Sequence, residues 1–305
     1  MSLSAKTEKW LSANCGRSMR GKTVAITGAN SGVGFKMAET MVYLGAKVIM
    51  ACRDLKKASA AKADLLRDHP GADIDIMRLD LADFASIDSF VKALADEGRD
   101  IDVFVNNAGV FHHPGEKTAD GLELVIGTNY VGVFRLTEEL LPYLAGLPHE
   151  VVYVNTGSMI HKIAPEIDYG DFYYAKHYRN LPVYARSKLC VARYTYALAK
   201  KYEGTNVCVL MSHPGIALTP LGLNAFGPWV TKLSHVLGWA FNSPEKSSLS
   251  LAYITARELP AGSIVGPTKL LGGWGYPKQN RVLRKVKRGS EQLIAFTEKE
   301  IASKA

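Results

Sequence analysis

Short apolar runs alternate with longer amphipathic stretches along most of the chain. Turn residues bound the apolar runs, which is typical of buried strands in a parallel sheet. The amphipathic stretches repeat their apolar positions every three or four residues and predict helices. The predicted strands are 23–27, 47–52, 74–80, 102–106, 151–155 and 207–212, with a candidate last strand at 267–271. The predicted helices are 32–44, 56–68, 84–95, about 129–144, 184–202 and 244–257.

This alternation predicts an α/β fold, a doubly wound parallel sheet with helices on both faces. Ligands bind such a sheet at the carboxyl ends of its strands. We expect one domain over 23–275, preceded by a helical arm at 1–22 and followed by a basic helical tail at 276–305. The apolar, glycine-containing stretch at about 217–241 is expected to form a lid over the substrate.

Composition sets limits on the kind of protein. The chain has 305 residues, 47% of them hydrophobic, which suffices for one large core. No apolar run approaches the roughly 20 residues that span a bilayer, and the N-terminus lacks the apolar stretch of a signal peptide. The four cysteines form no Cys-x-x-Cys pair, so we expect a reduced, cytoplasmic protein without a metal site.

The net charge of +8 comes from the two ends of the chain. Basic residues are in excess over 1–22 and 278–288, and the remainder is close to neutral. No recognition motif accompanies these basic ends, which favours solvated terminal helices over a nucleic-acid surface. We therefore expect no nucleic-acid partner, whereas contact with phosphate or an anionic membrane surface stays open.

Three glycines open the first predicted helix of the domain. Gly28, Gly32 and Gly34 directly follow the first strand. Glycine allows a tight turn and lets the backbone approach a pyrophosphate, which the N-terminus of a helix stabilises. The spacing Gly-x-x-x-Gly-x-Gly differs from the usual Gly-x-Gly-x-x-Gly. Its place between a strand and a helix nevertheless predicts a dinucleotide site.

The ends of the second and third strands bear on the choice of cofactor. An Arg at the end of the second strand accommodates the 2′-phosphate of NADP, whereas an acidic residue binds the 2′-hydroxyl of NAD. Arg53 favours NADP, but the adjacent Asp54 could bind ribose hydroxyls. Asp80 either accepts a hydrogen bond from the adenine amino group or caps the next helix. NAD(H) and NADP(H) both remain open.

Tyr184 and Lys188 are four residues apart and project from one face of a predicted helix. An ammonium beside a phenol stabilises the phenolate, so we expect Lys188 to lower the pKa of Tyr184 below its ordinary value of about 10. Such a phenol is a general acid and base for interconversion of an alcohol and a carbonyl. The pair alone is more often a solvated helix face, and it gains weight from the other motifs.

Together these motifs resemble the short-chain dehydrogenase/reductase family. They occur in the family's order, at 27–34, 106–109, Asn129, Ser158, 184–188 and 214–215. Residues 51–54, 184–189 and 213–215 resemble its retinol dehydrogenase-like and hydroxysteroid dehydrogenase-like branch. The resemblance implies a Rossmann-type fold and an oxidoreductase that uses NAD(H) or NADP(H).

The resemblance also implies a reaction, the interconversion of a secondary alcohol and a ketone on a bulky apolar substrate. The implied substrate is a steroid with a side-chain ketone, as in bacterial 20β-hydroxysteroid dehydrogenases. A retinol dehydrogenase-like enzyme or a general carbonyl reductase is the alternative. An alternative of another class is a redox sensor that binds the dinucleotide without catalysis.

The resemblance further implies roles for single residues. Tyr184 exchanges a proton with the substrate oxygen, and Ser158 holds that oxygen. Lys188 lowers the Tyr184 pKa and bonds the nicotinamide ribose, and Asn129 holds a relay water. The implied cofactor contacts are Gly28, Asn30, Ser31, Gly32, Val33, Gly34, Arg53, Asp80, Leu81, Asn107, Ala108, Gly109, Tyr184, Lys188, Pro214, Gly215, Ile216 and Thr219.

Three further expectations concern regions around the motifs. The insert at 160–183 is rich in aromatic residues and is either a packed loop or an aromatic wall over the substrate. We expect a homodimer or homotetramer built on the helices at 129–144 and 184–202. Trp10 and Leu11 make the N-terminal arm a candidate helical clasp across a subunit contact.

Overall fold

The computed structural model describes residues 3–15, 19–111, 113–215, 242–269 and 272–304. Within these ranges one sheet has the strand order β3-β2-β1-β4-β5-β6-β7-β8. The first seven of these strands run parallel and the last returns antiparallel. The strands are β1 (Thr23–Thr27), β2 (Lys47–Cys52), β3 (Ile74–Arg78), β4 (Val103–Asn106), β5 (Val151–Thr156), β6 (Val207–Ser212), β7 (Ile264–Lys269) and β8 (Trp274–Asn280).

Helices cover both faces of the sheet, as the alternating pattern predicts. One apolar cluster lies on each face, and the strands contribute to both. The helices are α1 (Ala5–Asn14), α2 (Gly32–Tyr43), α3 (Leu55–Asp68), α4 (Phe84–Asp96), α5 (Leu124–Ile126), α6 (Gly132–Ala145), α7 (Asn180–Lys201), α8 (Pro244–Thr255), α9 (Arg284–Lys287) and α10 (Ser290–Ala302). The prediction of a doubly wound α/β fold is confirmed.

The sheet differs from the prediction at three places. β7 begins at Ile264, three residues before the candidate last strand at 267–271. β3 ends at Arg78 rather than at Asp80, because the Asp80 carboxylate accepts a hydrogen bond from the Ala82 N–H at 3.0 Å and bends the chain. β8 was not predicted, because it contains Gly275 and Pro277, which are typical of turns. An edge strand nevertheless tolerates proline. β8 runs to Asn280 and so extends past the predicted domain boundary at 275, which stays a prediction.

The strand order reverses between β1 and β4. At such a switch point the loops leave the sheet in opposite directions and open a crevice at the carboxyl ends of the strands. The loops that follow β1, β4, β5 and β6 end at this edge of the sheet, and they carry the predicted motifs. The fold therefore brings together motifs that are far apart in the sequence.

The N-terminal arm packs on its own chain. Leu11 of α1 is fully buried, and Trp10 stacks on Tyr276 of β8 with ring centroids 5.7 Å apart. Ser4 donates to the Glu245 carboxylate at 2.6 Å, and the Cys15 thiol donates to a carbonyl of α8 at 3.3 Å. The apolar side of the arm is thus covered by its own chain, and its assignment as a clasp between subunits stays a prediction.

The C-terminal helix α10 covers the helices expected at a subunit interface. Leu293 and Ile301 of α10 are buried, and the Thr297 hydroxyl bonds the Tyr130 hydroxyl at 2.7 Å. Every residue of α7 from 185 to 195 is buried in the single chain. α7 therefore has no free apolar face over 185–195, so the expected interface on this helix stays a prediction that would have to use its other residues.

The aromatic insert packs away from the cleft. The Phe172 ring lies 4.7 Å from the Phe296 ring of α10, and the Tyr173 hydroxyl donates to Glu300 at 3.1 Å. The Arg186 guanidinium stacks on Tyr174 at 3.7 Å and donates to the Phe172 carbonyl at 2.9 Å. The expected aromatic wall over the substrate is therefore wrong, because these rings attach α10 to the body of the protein.

Two other expectations concern the lid and the membrane. The predicted lid at 217–241 lies outside the described residues. Among the helices of the described ranges, none is both long and apolar enough to cross a membrane.

Candidate active site

The predicted site residues meet in one cleft of about 1460 Å³ at the carboxyl edge of the sheet. Asn129 lies behind its wall, while Ile216 and Thr219 lie outside the described residues. The other predicted residues all line the cleft: Gly28, Asn30, Ser31, Gly32, Val33, Gly34, Arg53, Asp80, Leu81, Asn107, Ala108, Gly109, Ser158, Tyr184, Lys188, Pro214 and Gly215.

Thr27 fixes the glycine loop against the loop that follows β4. Its Oγ1 accepts hydrogen bonds from the backbone N–H groups of Asn107 and Ala108, at 3.0 and 2.9 Å. The Asn107 side chain donates to the Thr27 carbonyl at 2.9 Å. Gly28 has a φ of 66°, and a Cβ there would approach Ala108 to 3.1 Å. The two loops are therefore held side by side across the switch point.

The start of α2 fits a pyrophosphate. The first-turn N–H groups of a helix have no intrahelical partner, and the Ser31 side chain that precedes this helix does not cap them. A Cβ on Gly34 would lie 2.4 Å from both the Gly28 carbonyl and the Asn107 side chain, so only glycine lets α2 start this close to the strand. Uncapped N–H groups and the positive end of a helix bind phosphate oxygens, so these residues fit a dinucleotide cofactor.

Two cations stand at the end of the cleft expected to receive adenosine. Arg53 is 66% exposed and lies 4.0 Å from the Asp80 carboxylate, and Lys57 of α3 lines the cleft beside it. Asp54 caps α3 by accepting from the Lys57 N–H at 3.0 Å, and this bond lowers the pKa of Asp54. Asp83 caps α4, so the alternative role of Asp80 as a helix cap is wrong.

Lys188 is buried on α7 beneath the cleft. Its Nζ donates to the Thr156 carbonyl at 3.0 Å and lies 5.8 Å from the centroid of the Tyr184 ring. Gly109 of the loop after β4 lies next to it, since a Cβ there would be in ordinary contact with Nζ at 3.7 Å. Burial lowers the pKa of Lys188 to about 8. The ammonium is thus anchored between β5 and the loop that follows β4.

Asn129 joins that loop to α7. It lies in a π-helical turn (Gly127–Val131) just before α6, a distortion often found at functional sites. Its side-chain oxygen accepts from the Val110 N–H at 2.7 Å, and its amide donates to the Val110 carbonyl at 2.9 Å and to the Ser187 hydroxyl at 3.2 Å. The side chain is held at both ends, and the relay water expected beside it stays a prediction.

Ser158 and Tyr184 face each other across the cleft. Ser158 follows β5 and precedes the 3-10 turn Met159–Lys162, where its Oγ accepts from the Ile160 N–H at 3.3 Å. Its hydroxyl acts on the Tyr184 phenol and lowers the pKa of that phenol. The Phe111 ring meets the Tyr184 ring edge-on, with centroids 5.0 Å apart, and restricts its orientation.

The Tyr184 phenol differs from the expectation in its acidity. Burial raises the pKa of Tyr184 to about 12, and the hydrogen bond from Ser158 lowers it only in part. The prediction that Lys188 lowers this pKa below its ordinary value is wrong for the chain alone, because the Lys188 ammonium donates to the Thr156 carbonyl instead. Tyr184 is therefore protonated at neutral pH and is ready to donate a proton to a carbonyl.

The cleft beyond Ser158 has apolar walls. Phe111, Ile160, Ile163 and Leu181 line this end. Ile163 is 74% exposed and Leu181 is 40% exposed, so both form an open apolar rim. Such a surface binds apolar groups by removing them from water.

Sequence reasoning assigned no site role to several residues of this cleft, among them Lys57, Phe111 and Thr156. Lys57 could have been found, because it lies on the first turn of the helix after Arg53. Phe111 follows the Asn107–Gly109 motif closely, but its position in the sequence indicates a place in the cleft less clearly than that of Lys57. Thr156 contributes a backbone carbonyl to Lys188, and a carbonyl leaves no mark on the sequence.

The geometry agrees with a comparison against known protein families. The family model described as "short chain dehydrogenase" matches residues 22–226, which include both the glycine loop and the Tyr184–Lys188 pair. The chain belongs to the short-chain dehydrogenase family. It therefore has the NAD(P)-dependent alcohol dehydrogenase or ketoreductase activity of that family.

Proteins of similar sequence include retinol dehydrogenases. Retinol dehydrogenase 14 of Mus musculus is 40% identical over 235 residues, covering 73% of this chain and 70% of its own length. Retinol dehydrogenase 13 of Homo sapiens is 35% identical over 244 residues, covering 78% of this chain and 73% of its own length.

Solved structures agree with the short-chain dehydrogenase fold. An uncharacterized protein from Mycobacterium paratuberculosis has a TM-score of 0.73 and 30% identity, covering 92% of this chain and 93% of that one. A short chain dehydrogenase from Shigella flexneri, complexed with NADP, has a TM-score of 0.64 and 19% identity, covering 81% and 97%. The second likeness shows the fold alone.

Proposed function

We propose that the protein interconverts the hydroxyl and carbonyl forms of a bulky apolar molecule. The first candidate substrate is retinoid-like, and the preferred cofactor is NADP(H). The observation that carries the substrate class is the apolar wall beside Ser158 and Tyr184, built from Phe111, Ile160 and Leu181. The names of the relatives at 35% and 40% identity, which are retinol dehydrogenases, support the retinoid-like choice.

The proposed chemistry assigns one task to each polar group of the cleft. When bound, the reduced cofactor supplies a hydride to the carbonyl carbon. Tyr184 donates its proton to the carbonyl oxygen as negative charge develops there, and the Ser158 hydroxyl stabilises that charge. Lys188 adds a positive charge beneath the oxygen and holds the cofactor ribose. Asn129 keeps the loop after β4 in register with α7.

A steroid ketone is the second candidate substrate. Ile160, Ile163 and Leu181 present branched aliphatic side chains to the cleft, and such surfaces pack well on a rigid, saturated ring system. The assembled Ser158, Tyr184 and Lys188 speak against the alternative of a redox sensor without catalysis.

The proposal extends to location and assembly. All four cysteines are free thiols, which supports a reducing, cytoplasmic location. A homodimer or homotetramer remains compatible with the chain, but its contacts have to avoid the buried stretch of α7 and use another surface.

A substrate panel tests the proposed substrate class. All-trans-retinal, a 20-ketosteroid and a short polar ketone are assayed with NADPH by the loss of reduced nicotinamide absorbance. We expect kcat/KM to be at least about 100-fold higher for the apolar carbonyls, since an apolar pocket gains about 1.5–3 kcal/mol for each large apolar group that it buries. A preference for the short polar ketone would contradict the proposal.

Arg53 tests the cofactor preference. Its pair with Asp80 is long and exposed, so the guanidinium is available to a 2′-phosphate. We expect Arg53→Ala to weaken NADPH binding about 10–100-fold, the worth of one hydrogen bond to a charged group, while NADH binding stays within about twofold. Dissociation constants follow from the fluorescence of the bound nucleotides.

Lys56→Ala is the matched control for Arg53→Ala. Lys56 is an exposed cation on the first turn of α3 that does not line the described cleft, and its loss should leave both constants unchanged. Equal losses of NADPH and NADH affinity in Arg53→Ala would show that Arg53 does not recognise the 2′-phosphate.

A further inference from the structure

A buried histidine lies directly behind Ser158. His161 is 1% exposed and belongs to the 3-10 turn Met159–Lys162. Its ring Nδ1 lies 2.5 Å from the Ser158 carbonyl oxygen, and its backbone N–H donates to the same oxygen at 3.1 Å. None of the roles described above uses this side chain.

The partner of His161 fixes its tautomer. A backbone carbonyl only accepts hydrogen bonds, so Nδ1 has to carry the proton. The pKa of His161 is lowered to about 4, mainly by burial and in part by the charges of Lys162 on the same turn and Lys285 on α9, while the bond to the Ser158 carbonyl opposes them. His213, which follows β6, interacts with the His161 ring from another element, and burial also keeps His213 neutral. The His161 ring is therefore a neutral donor throughout the physiological pH range.

The other ring nitrogen argues against a role as a mere core filler. Nε2 of His161 is buried and finds no hydrogen-bond partner among the described residues. An unpaired polar atom in the interior destabilises the fold, and an aliphatic side chain of similar size would avoid that cost. The benefit of histidine at this position therefore has to come from its Nδ1–H bond.

That bond holds the residue that faces Tyr184. Ser158 has an extended backbone, with φ −147° and ψ 148°, and stands at the end of β5 where the regular ladder stops. Its Oγ accepts from the Ile160 N–H and its carbonyl accepts from His161. The two bonds fix both polar ends of Ser158, so the direction of its hydroxyl toward Tyr184 is set by the turn.

We propose that His161 is a positioning residue, whose Nδ1–H bond to the Ser158 carbonyl sets the placement of the Ser158 hydroxyl beside the Tyr184 hydroxyl. The inference rests on the proposed alcohol–carbonyl chemistry, because its effect on rate is exerted through Ser158. A small displacement of a group that orients the reacting atoms is costly, and an error of 1 Å can lower a rate about 100-fold.

Two variants separate positioning from packing. His161→Leu fills the space without a donor, whereas His161→Asn can place its amide N–H close to the position of Nδ1. We expect His161→Leu to lower kcat by about 10–100-fold, with the dissociation constant for NADPH within about twofold of wild type. His161→Asn should recover most of that loss. Because His161 is already neutral in the wild type, the dependence of kcat on pH between about pH 6 and 8 should have the same shape in both variants as in the wild type.

His177→Leu is the matched control, since His177 is exposed in the insert and its loss should leave kcat unchanged. Wild-type kcat in His161→Leu would overturn the proposal. Equal losses of kcat and melting temperature in His161→Leu and His161→Asn, without recovery by asparagine, would also overturn it, because they indicate packing alone.

A measurement without substrate separates this inference from the proposed function. If the wild-type protein turns over no carbonyl, the proposed function fails, but the ¹⁵N chemical shifts of the His161 ring still report its tautomer. A neutral ring protonated at Nδ1 supports the bond to Ser158. A ring protonated at Nε2, or a charged ring at neutral pH, overturns the inference.

Discussion

Replacing Tyr184 with phenylalanine is expected to lower kcat by about 10²–10⁴-fold, the usual contribution of a positioned general acid. The change removes one hydroxyl and keeps the ring that packs against Phe111. The dissociation constant for the reduced cofactor should stay within about twofold of wild type, because Tyr184 acts mainly on the substrate oxygen. Steady-state kinetics and a nucleotide titration on the same preparation measure both effects.

Tyr196→Phe is the control for this variant. Tyr196 lies on the same helix and outside the cleft lined by the described residues, so loss of its hydroxyl should leave kcat unchanged. If Tyr184→Phe keeps more than a small fraction of the wild-type rate, Tyr184 is not the general acid.

Lys188→Ala is expected to impair both catalysis and cofactor binding. The variant removes the buried cation beside Tyr184 and leaves the Thr156 carbonyl without its donor at 3.0 Å. We expect a loss in kcat of about 100-fold or more, together with a rise of about 10–100-fold in the dissociation constant for NADPH. The same kinetics and nucleotide titration distinguish this double loss from the single loss in Tyr184→Phe.

Lys200→Ala makes the same substitution at an exposed position of α7 and should change neither quantity. An unchanged affinity for the dinucleotide in Lys188→Ala would contradict the double role of Lys188. A melting temperature close to that of wild type is needed for the comparison, because Lys188 is buried.

The alternation of apolar and polar positions was sufficient to predict β1, β2, β4, β5 and β6 to within one residue at each end. Each of these strands is buried on both faces, so its composition is dominated by apolar residues over its whole length. β8 was missed because Gly275 and Pro277 interrupt that pattern at the edge of the sheet, where proline is tolerated.

The residues of the motifs converge on one cleft, since local spacing on a strand end or a helix face determines which side chains point the same way. Contacts between distant segments were beyond this reasoning. The covering of α7 by α10 depends on Phe172 and Phe296, which are far apart in the chain. The raised pKa of Tyr184 depends on its burial, which no spacing reveals.

The most direct test of the account follows the hydride itself. Reduced cofactor that carries deuterium at the transferable C4 position is supplied with an apolar carbonyl substrate, and the alcohol product is analysed by mass spectrometry. We expect one deuterium atom on the carbinol carbon and none in the product formed by Tyr184→Phe above background. An alcohol without deuterium, or no alcohol from any apolar carbonyl while the cofactor binds, would contradict the account.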